Sequence, residues 1–275
     1  MNFQALTVSI EGKIGYLTLN RPDRLNALGP TLLRELAEAA AWFNQQLNVQ
    51  VVIIRGEGRA FSVGADLKEP TVLTGPDATL KPEDMAGLDE AAQWVKRREM
   101  AQLGYRMSEA ISNMRALTIA QVQGYAIGGG LVLMASCDFR LVAEGTAFII
   151  PEVDLGIPLA WGGIPVLVRE LGPLRTKELV ITCRRFTPEE ALGWGFINQV
   201  LTLDELPAAV NELGELLASK PSVPTFITKE HVNAAASEMA SGGNIFADGD
   251  TLLGVTSDPA FRDVLDAYVA RTVKR

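Results

Sequence analysis

Thr118-Ile119-Ala120-Gln121-Val122-Gln123 runs directly into Gly124-Tyr125-Ala126-Ile127-Gly128-Gly129-Gly130, and then into Leu131-Val132-Leu133-Met134-Ala135. The first segment reads as a buried strand that Gly124 closes. The last reads as an apolar helix opened by the glycine run. Three successive glycines at a helix start cost backbone entropy, roughly 1 kcal/mol each relative to alanine. They make sense where something must come close to the main chain, and free N–H groups at a helix N-terminus carry partial positive charge. Close helix–sheet packing explains the run equally well when it is taken alone. A dinucleotide fingerprint fits poorly, because the spacing is not G-x-G-x-x-G and no acid ends a following strand at the expected distance. A phosphate loop would need a Lys-Ser/Thr pair that is absent.

The surrounding chain repeats the strand-to-helix theme. Leu6–Ile10 and Gly15–Leu19 are β-favouring runs around a Glu11-Gly12-Lys13 turn, which predicts a hairpin. Gly29-Pro30 opens a helix in which Leu32, Leu33, Leu36, Ala39, Ala40 and Phe43 recur at helical spacing. Val51–Ile54 is wholly apolar and β-branched, as a strand covered on both faces should be. Glu69–Ala86 carries four Pro and Gly breakers and reads as a long loop or lid. A helix over Leu88–Met114 follows. Beyond the glycine run, Phe139–Ala143 and Ala147–Ile150 are strand-like, and the pattern is mostly helical from Gly162. Thr187-Pro188-Glu189-Glu190 has the form of a capped helix start. The tail, Asp204–Arg275, reads as several amphipathic helices.

Composition narrows the function classes. The 275 residues are enough for one α/β core with an appendage, and 48% of them are apolar. A formal charge of −8 argues against nucleic acid as a partner, since phosphate recognition needs a basic face. Cys137 and Cys183 have no paired spacing and read as small buried apolar residues in a reducing compartment. His231 is the single histidine, which leaves almost no material for a Ser-His-Asp triad or a histidine metal site, and no metal is expected. The sequence has no stretch of membrane-spanning length, and its start lacks the basic-then-apolar order of a signal peptide. The expectation is a cytoplasmic protein with no membrane partner.

A second turn, Arg59-Ala60-Phe61-Ser62-Val63-Gly64-Ala65-Asp66-Leu67, also follows a buried strand. Gly64 lets the chain turn, and Ala65 is too small to obstruct its own N–H. An ordinary strand-to-helix loop with Asp66 as the helix cap accounts for it as well.

Together these segments are more specific. Leu19-Asn20-Arg21-Pro22-Asp23-Arg24-Leu25-Asn26-Ala27-Leu28, Ala60–Leu67, Gly124–Gly130 with Cys137-Asp138, and Pro151-Glu152-Val153-Asp154-Leu155-Gly156 resemble the crotonase superfamily, the enoyl-CoA hydratase/isomerase family, in order, spacing and type. The resemblance covers roughly residues 5–200. It implies an α/β fold: a crotonase-type spiral of β-β-α units over residues 1–200, with a C-terminal helical trimerisation region over 201–275. It also implies a homotrimer or a dimer of trimers. By the same resemblance the backbone N–H groups of Ala65 and Gly129 form an oxyanion hole for an acyl-CoA thioester. Arg24, Leu25, Ala27, Ala65, Asp66 and Leu67 contact coenzyme A, with Arg24 either pairing a CoA phosphate or lying solvated at the surface. Coenzyme A is then part of the substrate, and no separate cofactor is implied.

The chemistry turns on which acids are present. Hydratases of this family use two glutamates, and the position of the first is Val132, which cannot orient water or exchange a proton. Glu152 remains, in an apolar context that should raise its pKa, unless it is merely a surface or capping carboxylate. One base beside an oxyanion hole suits isomerisation of a 3-enoyl thioester to the 2-enoyl form, with the proton moved from C2 to C4. Hydration by Glu152 alone and acyl-CoA binding without catalysis are the alternatives. Asp154 reads as structural. The segment Gly156–Gly163 departs from the family's small Pro-Gly loop. Its lack of an aspartate argues against the dehalogenase-like and naphthoate-synthase-like branches. Trp161 there either walls an acyl pocket or packs in the core. Val132, Trp161 and Trp94 are the candidate acyl-pocket residues, and Met100, Tyr105 and Met107 belong either to that pocket or to a plain core helix.

Overall fold

The computed structural model describes residues 2–69, 85–240 and 247–272. Strands β1 (Leu6–Glu11) and β2 (Ile14–Leu19) form the expected antiparallel hairpin, and β2 is followed by helix α1 (Pro30–Gln45). Strand β3 (Val51–Gly56) leads to helices α2 (Glu90–Ala101) and α3 (Leu103–Ser112). Strands β4 (Leu117–Val122) and β5 (Tyr125–Ile127) precede α4 (Gly129–Ala135). Strands β6 (Phe139–Ala143) and β7 (Ala147–Ile149) precede α5 (Gly163–Thr182), which is kinked at Gly172-Pro173. Helix α6 (Pro188–Gly193), strand β8 (Gln199–Leu201) and helices α7 (Leu206–Ala218), α8 (Ser222–Met239), α9 (Asp248–Thr256) and α10 (Pro259–Thr272) complete the chain.

The six-stranded sheet has the order β1-β2-β3-β4-β6-β8, parallel throughout except for the β1–β2 hairpin. Its residues alternate between two cores. Val52 and Ile54 point into the larger core with α1, α3 and α4, whereas Val51 and Ile53 meet Leu206 and Val210 of α7 on the other face. Coverage on both faces is why Val51–Ile54 is apolar at every position.

A second, smaller layer of extended chain lies at the C-terminal ends of these strands. Strands β5 and β7 pair in parallel, Ser62 bridges to Ala126, and Leu28 bridges to Ala65. Each turn of the chain thus contributes one strand to the large sheet, one extended segment to the small layer, and a helix. The loops that follow Leu28, Ala65, Ile127 and Ile149 come together as a consequence.

Several sequence expectations need correction. The segment Leu88–Met114 is two helices, not one. Helix α2 buries only Ala101 and packs against α9, while α3 buries Leu103, Met107 and Ile111 and packs against α1. The chain turns at Gln102 to serve both partners. Strands β5 and β8 were not expected; at three residues each they are too short to show alternation. Of the predicted lid, residues 70–84 lie outside the described residues. The capped start at Thr187 forms in full: Thr187 Oγ1 accepts from the Glu190 N–H, and Glu190 accepts from the Thr187 N–H.

Candidate active site

The two turns singled out in the sequence lie side by side. The Ser62 N–H donates to the Tyr125 carbonyl at 3.0 Å, and the Ile127 N–H donates back to the Ser62 carbonyl at 3.1 Å. Gly64 has φ +79°, and a methyl group added there would run into the Ile127 carbonyl and come within 3.1 Å of the Gly129 nitrogen. Ala65 is held in register by its neighbours, with the Leu28 N–H donating to the Gly64 carbonyl at 2.8 Å and the Asp66 N–H to the Leu28 carbonyl at 3.3 Å. Among the described residues, the N–H groups of Ala65 and Gly129 themselves have no hydrogen-bond acceptor.

Strand pairing brings Glu152 to the same place. Ile127 is opposite Ile149 in the β5–β7 register, and the Gly128 N–H donates to the Ile149 carbonyl at 2.9 Å. The chain that continues past Ile149 therefore passes the glycine run. Each of the three glycines meets a different segment. A side chain on Gly128 would collide with Glu152 Oε1, one on Gly129 with the Trp161 indole, and one on Gly130 with the Ser62 carbonyl. Close approach, not helix–sheet packing alone, is the reason for the run.

Glu152 is buried, at 8% exposure, and its Oε2 has no hydrogen-bond partner among the described residues. Loss of solvent around the carboxyl pushes its pKa up to about 7. It faces a cavity of about 740 Å³. That cavity is lined by Arg24, Leu25, Ala27, Ala65, Asp66, Leu67, Gly129, Val132 and Trp161, all of them expected from the sequence. Val132 is fully buried one turn into α4. Trp94 is the exception: it is half exposed on α2 and does not line the cavity, to which α2 contributes Met100 and Ala101 at its C-terminal end instead. Met107 is core, and Tyr105 donates to Glu109 at 2.8 Å. Asp154 is exposed.

At the mouth, Asp66 accepts from Arg24 Nη2 at 2.6 Å and lies 3.1 Å from Arg21 Nη2. It caps no helix, although one oxygen also accepts from the Lys68 N–H at 3.0 Å. Arg59 and Lys68 add exposed positive charge to the lining, and Leu252 of α9 and Tyr268 of α10 close one side. None of these four was flagged from the sequence, since an isolated surface cation or a residue of an amphipathic helix carries no local signal.

The site thus pairs two N–H donors with one desolvated carboxylate in an apolar cavity, and a model of the enoyl-CoA hydratase/isomerase family matches residues 14–265. The chain belongs to that family. It is 30% identical over 267 residues to the crotonyl-CoA hydratase of Syntrophomonas wolfei, covering 94% of this chain and 95% of that protein. It is 34% identical over 237 residues to the carnitinyl-CoA dehydratase of Salmonella typhi, covering 86% and 82%. An enoyl-CoA hydratase structure from Mycobacterium avium subsp. paratuberculosis superposes with a TM-score of 0.82 at 25% identity, over 97% of this chain and 99% of that one. The Bacillus halodurans enoyl-CoA hydratase shares the fold at a TM-score of 0.83 and 23% identity, over 96% and 100%. The α/β spiral is that of the crotonase superfamily, and the chain is an enzyme of the enoyl-CoA hydratase family. Among the described residues no helix is long and apolar enough to cross a membrane.

Proposed function

We propose that this enzyme moves a double bond in an acyl-CoA thioester, converting a 3-enoyl-CoA to the 2-enoyl isomer. The observation that carries the reading is the buried carboxylate of Glu152, packed against Gly128 and facing a cavity in which the neighbouring candidate position is Val132; of the other described acids in the lining, Asp66 is paired with Arg21 and Arg24, and Asp23 lies beside Arg24 in the chain. In this reading the thioester oxygen accepts from the Ala65 and Gly129 N–H groups. Ionised Glu152 removes a proton from C2, and the electron pair moves onto the carbonyl oxygen as an enolate. Two preorganised donors stabilise that charge, each worth about 3 kcal/mol in comparable oxyanion holes. Protonated Glu152 then returns the proton at C4, and the double bond forms between C2 and C3. A pKa of about 7 suits a group that must both accept and release a proton near neutrality. Arg24, Arg59 and Lys68 at the mouth would meet the CoA phosphates, with Asp66 holding Arg24 in place.

Hydration is the second reading, and the names of the relatives favour it: one is a crotonyl-CoA hydratase and another a carnitinyl-CoA dehydratase. With valine at position 132, Glu152 would have to orient water and deliver a proton without a second acid. Incubation with 3-enoyl-CoA and 2-enoyl-CoA separates the readings. Isomer without 3-hydroxyacyl product supports the first, and 3-hydroxyacyl product overturns it in favour of the second. Binding without either product supports a non-catalytic acyl-CoA protein.

A further inference from the structure

Trp161 has φ +60°, in the left-handed region that bulky side chains rarely adopt, and Gly162 follows with φ +72°. Two side chains from different helices hold this backbone. The Trp161 carbonyl accepts from Ser108 Oγ of α3 at 2.5 Å, and the Gly162 N–H donates to Asp248 Oδ2 of α9 at 2.8 Å. Ser108 is buried. The result is an indole packed directly on bare backbone at two points, Gly104 of α3 and Gly129 of α4, where any side chain would overlap the ring. The same ring lines the cavity that Glu152 faces.

We infer that the Trp161 indole is the stop that limits acyl chain length, making the enzyme selective for short acyl thioesters. The inference rests on the acyl-CoA reading of the cavity. If the Gly129 N–H holds the thioester oxygen, the acyl chain begins beside the residue on which the indole is packed. Glycine backbone packs against the ring at both contacts, and two hydrogen bonds to one peptide unit, at the Trp161 carbonyl and the Gly162 N–H, fix the main chain that carries it. A longer chain would have to displace this anchored ring, whereas Val132 and Leu159 offer only aliphatic walls.

The test compares wild type with Trp161→Ala and Trp161→Phe on enoyl-CoA thioesters of four to twelve carbons, reading kcat/KM for each. Wild type should favour the short end. Trp161→Ala should move the optimum to longer chains and raise the ten-carbon to four-carbon ratio at least tenfold, since each methylene newly buried is worth about fourfold. Trp161→Phe should fall between the two. A folded Trp161→Ala enzyme with the wild-type chain-length profile overturns the inference. Should that variant fail to fold, Ser108→Ala and Asp248→Ala each release one anchor and keep the indole, now free to shift. They should lower KM for long chains, and an unchanged KM series in both overturns the inference equally. Titration of wild type with hexanoyl-CoA distinguishes the levels of failure. Binding with a flat chain-length profile removes only the role of Trp161, whereas no binding removes the acyl-CoA reading and this inference with it.

Discussion

Replacing Glu152 by glutamine should stabilise the folded protein above neutral pH while abolishing its activity. The carboxyl is buried, has an oxygen without a partner among the described residues, and titrates near pH 7 against an ordinary value of 4.5. Below pH 4.5 the group is neutral in both the folded and the unfolded chain and contributes no penalty. Between 4.5 and 7 the folded chain keeps its proton while the unfolded chain loses it, so stability falls by about 1.4 kcal/mol per pH unit. Above pH 7 the full cost, about 3 kcal/mol, is present and constant. Glutamine resembles the neutral acid in shape and carries no charge to desolvate. Urea unfolding of both proteins at fixed chain concentration, from pH 4 to pH 9, gives a difference curve in which all other carboxylates cancel. The variant should match wild type at pH 4 and exceed it by about 3 kcal/mol at pH 8. Parallel curves across the whole range would refute the argument, because they would mean that Glu152 is solvated and has an ordinary pKa. Retention of full turnover by the variant would separately remove Glu152 from the mechanism.

Three further outcomes follow from the same geometry. In the proposed isomerisation Glu152 must be ionised to accept the C2 proton, so kcat/KM for a 3-enoyl-CoA should rise with pH through about 7, and a profile level from pH 5 to pH 9 would contradict this. Gly128 has φ +50° and ψ −117°, so Gly128→Ala should destabilise the fold by about 2 kcal/mol and displace Glu152. Thermal unfolding and initial rates should register these losses together. Lys229 of α8 is buried, with Nζ 2.7 Å from Asp138 Oδ2 and 2.9 Å from the Ala116 carbonyl. Lys229→Met leaves that carboxylate without its counter-ion, with only the Thr118 N–H and hydroxyl among the described residues still donating to it, and should cost about 3 kcal/mol in urea unfolding.

Much of the site was legible because its chemistry depends on small residues next to strands, and both small residues and apolar strands leave a local mark. Gly64-Ala65 and Gly128-Gly129-Gly130 each allowed an ordinary explanation alone; their shared spacing with Pro151-Glu152 is what singled them out. The three-residue strand β5, which pairs with the expected β7 to bring these segments together, was harder to read, since Tyr125–Ile127 has the same pattern as any turn. Arg59 and Lys68 reach the cavity mouth through the path of the loop, not through their own sequence context. The break at Gln102 was hidden because helical periodicity continues across it. Only the separate partners of α2 and α3 reveal the break.

The start of α4 has a consequence for how the site is assembled. The three glycines there, Gly128 to Gly130, carry no side chain, so their surroundings are set by three visitors: a carboxylate and an indole from the loop between β7 and α5, and a carbonyl from an earlier turn. Two of the three arrive on the single stretch between Glu152 and Trp161. That stretch works as an exchangeable insert in a fixed socket. A different insert would alter both the carboxylate beside the glycines and the room left in the cavity, with the Ala65 and Gly129 N–H groups left where they are.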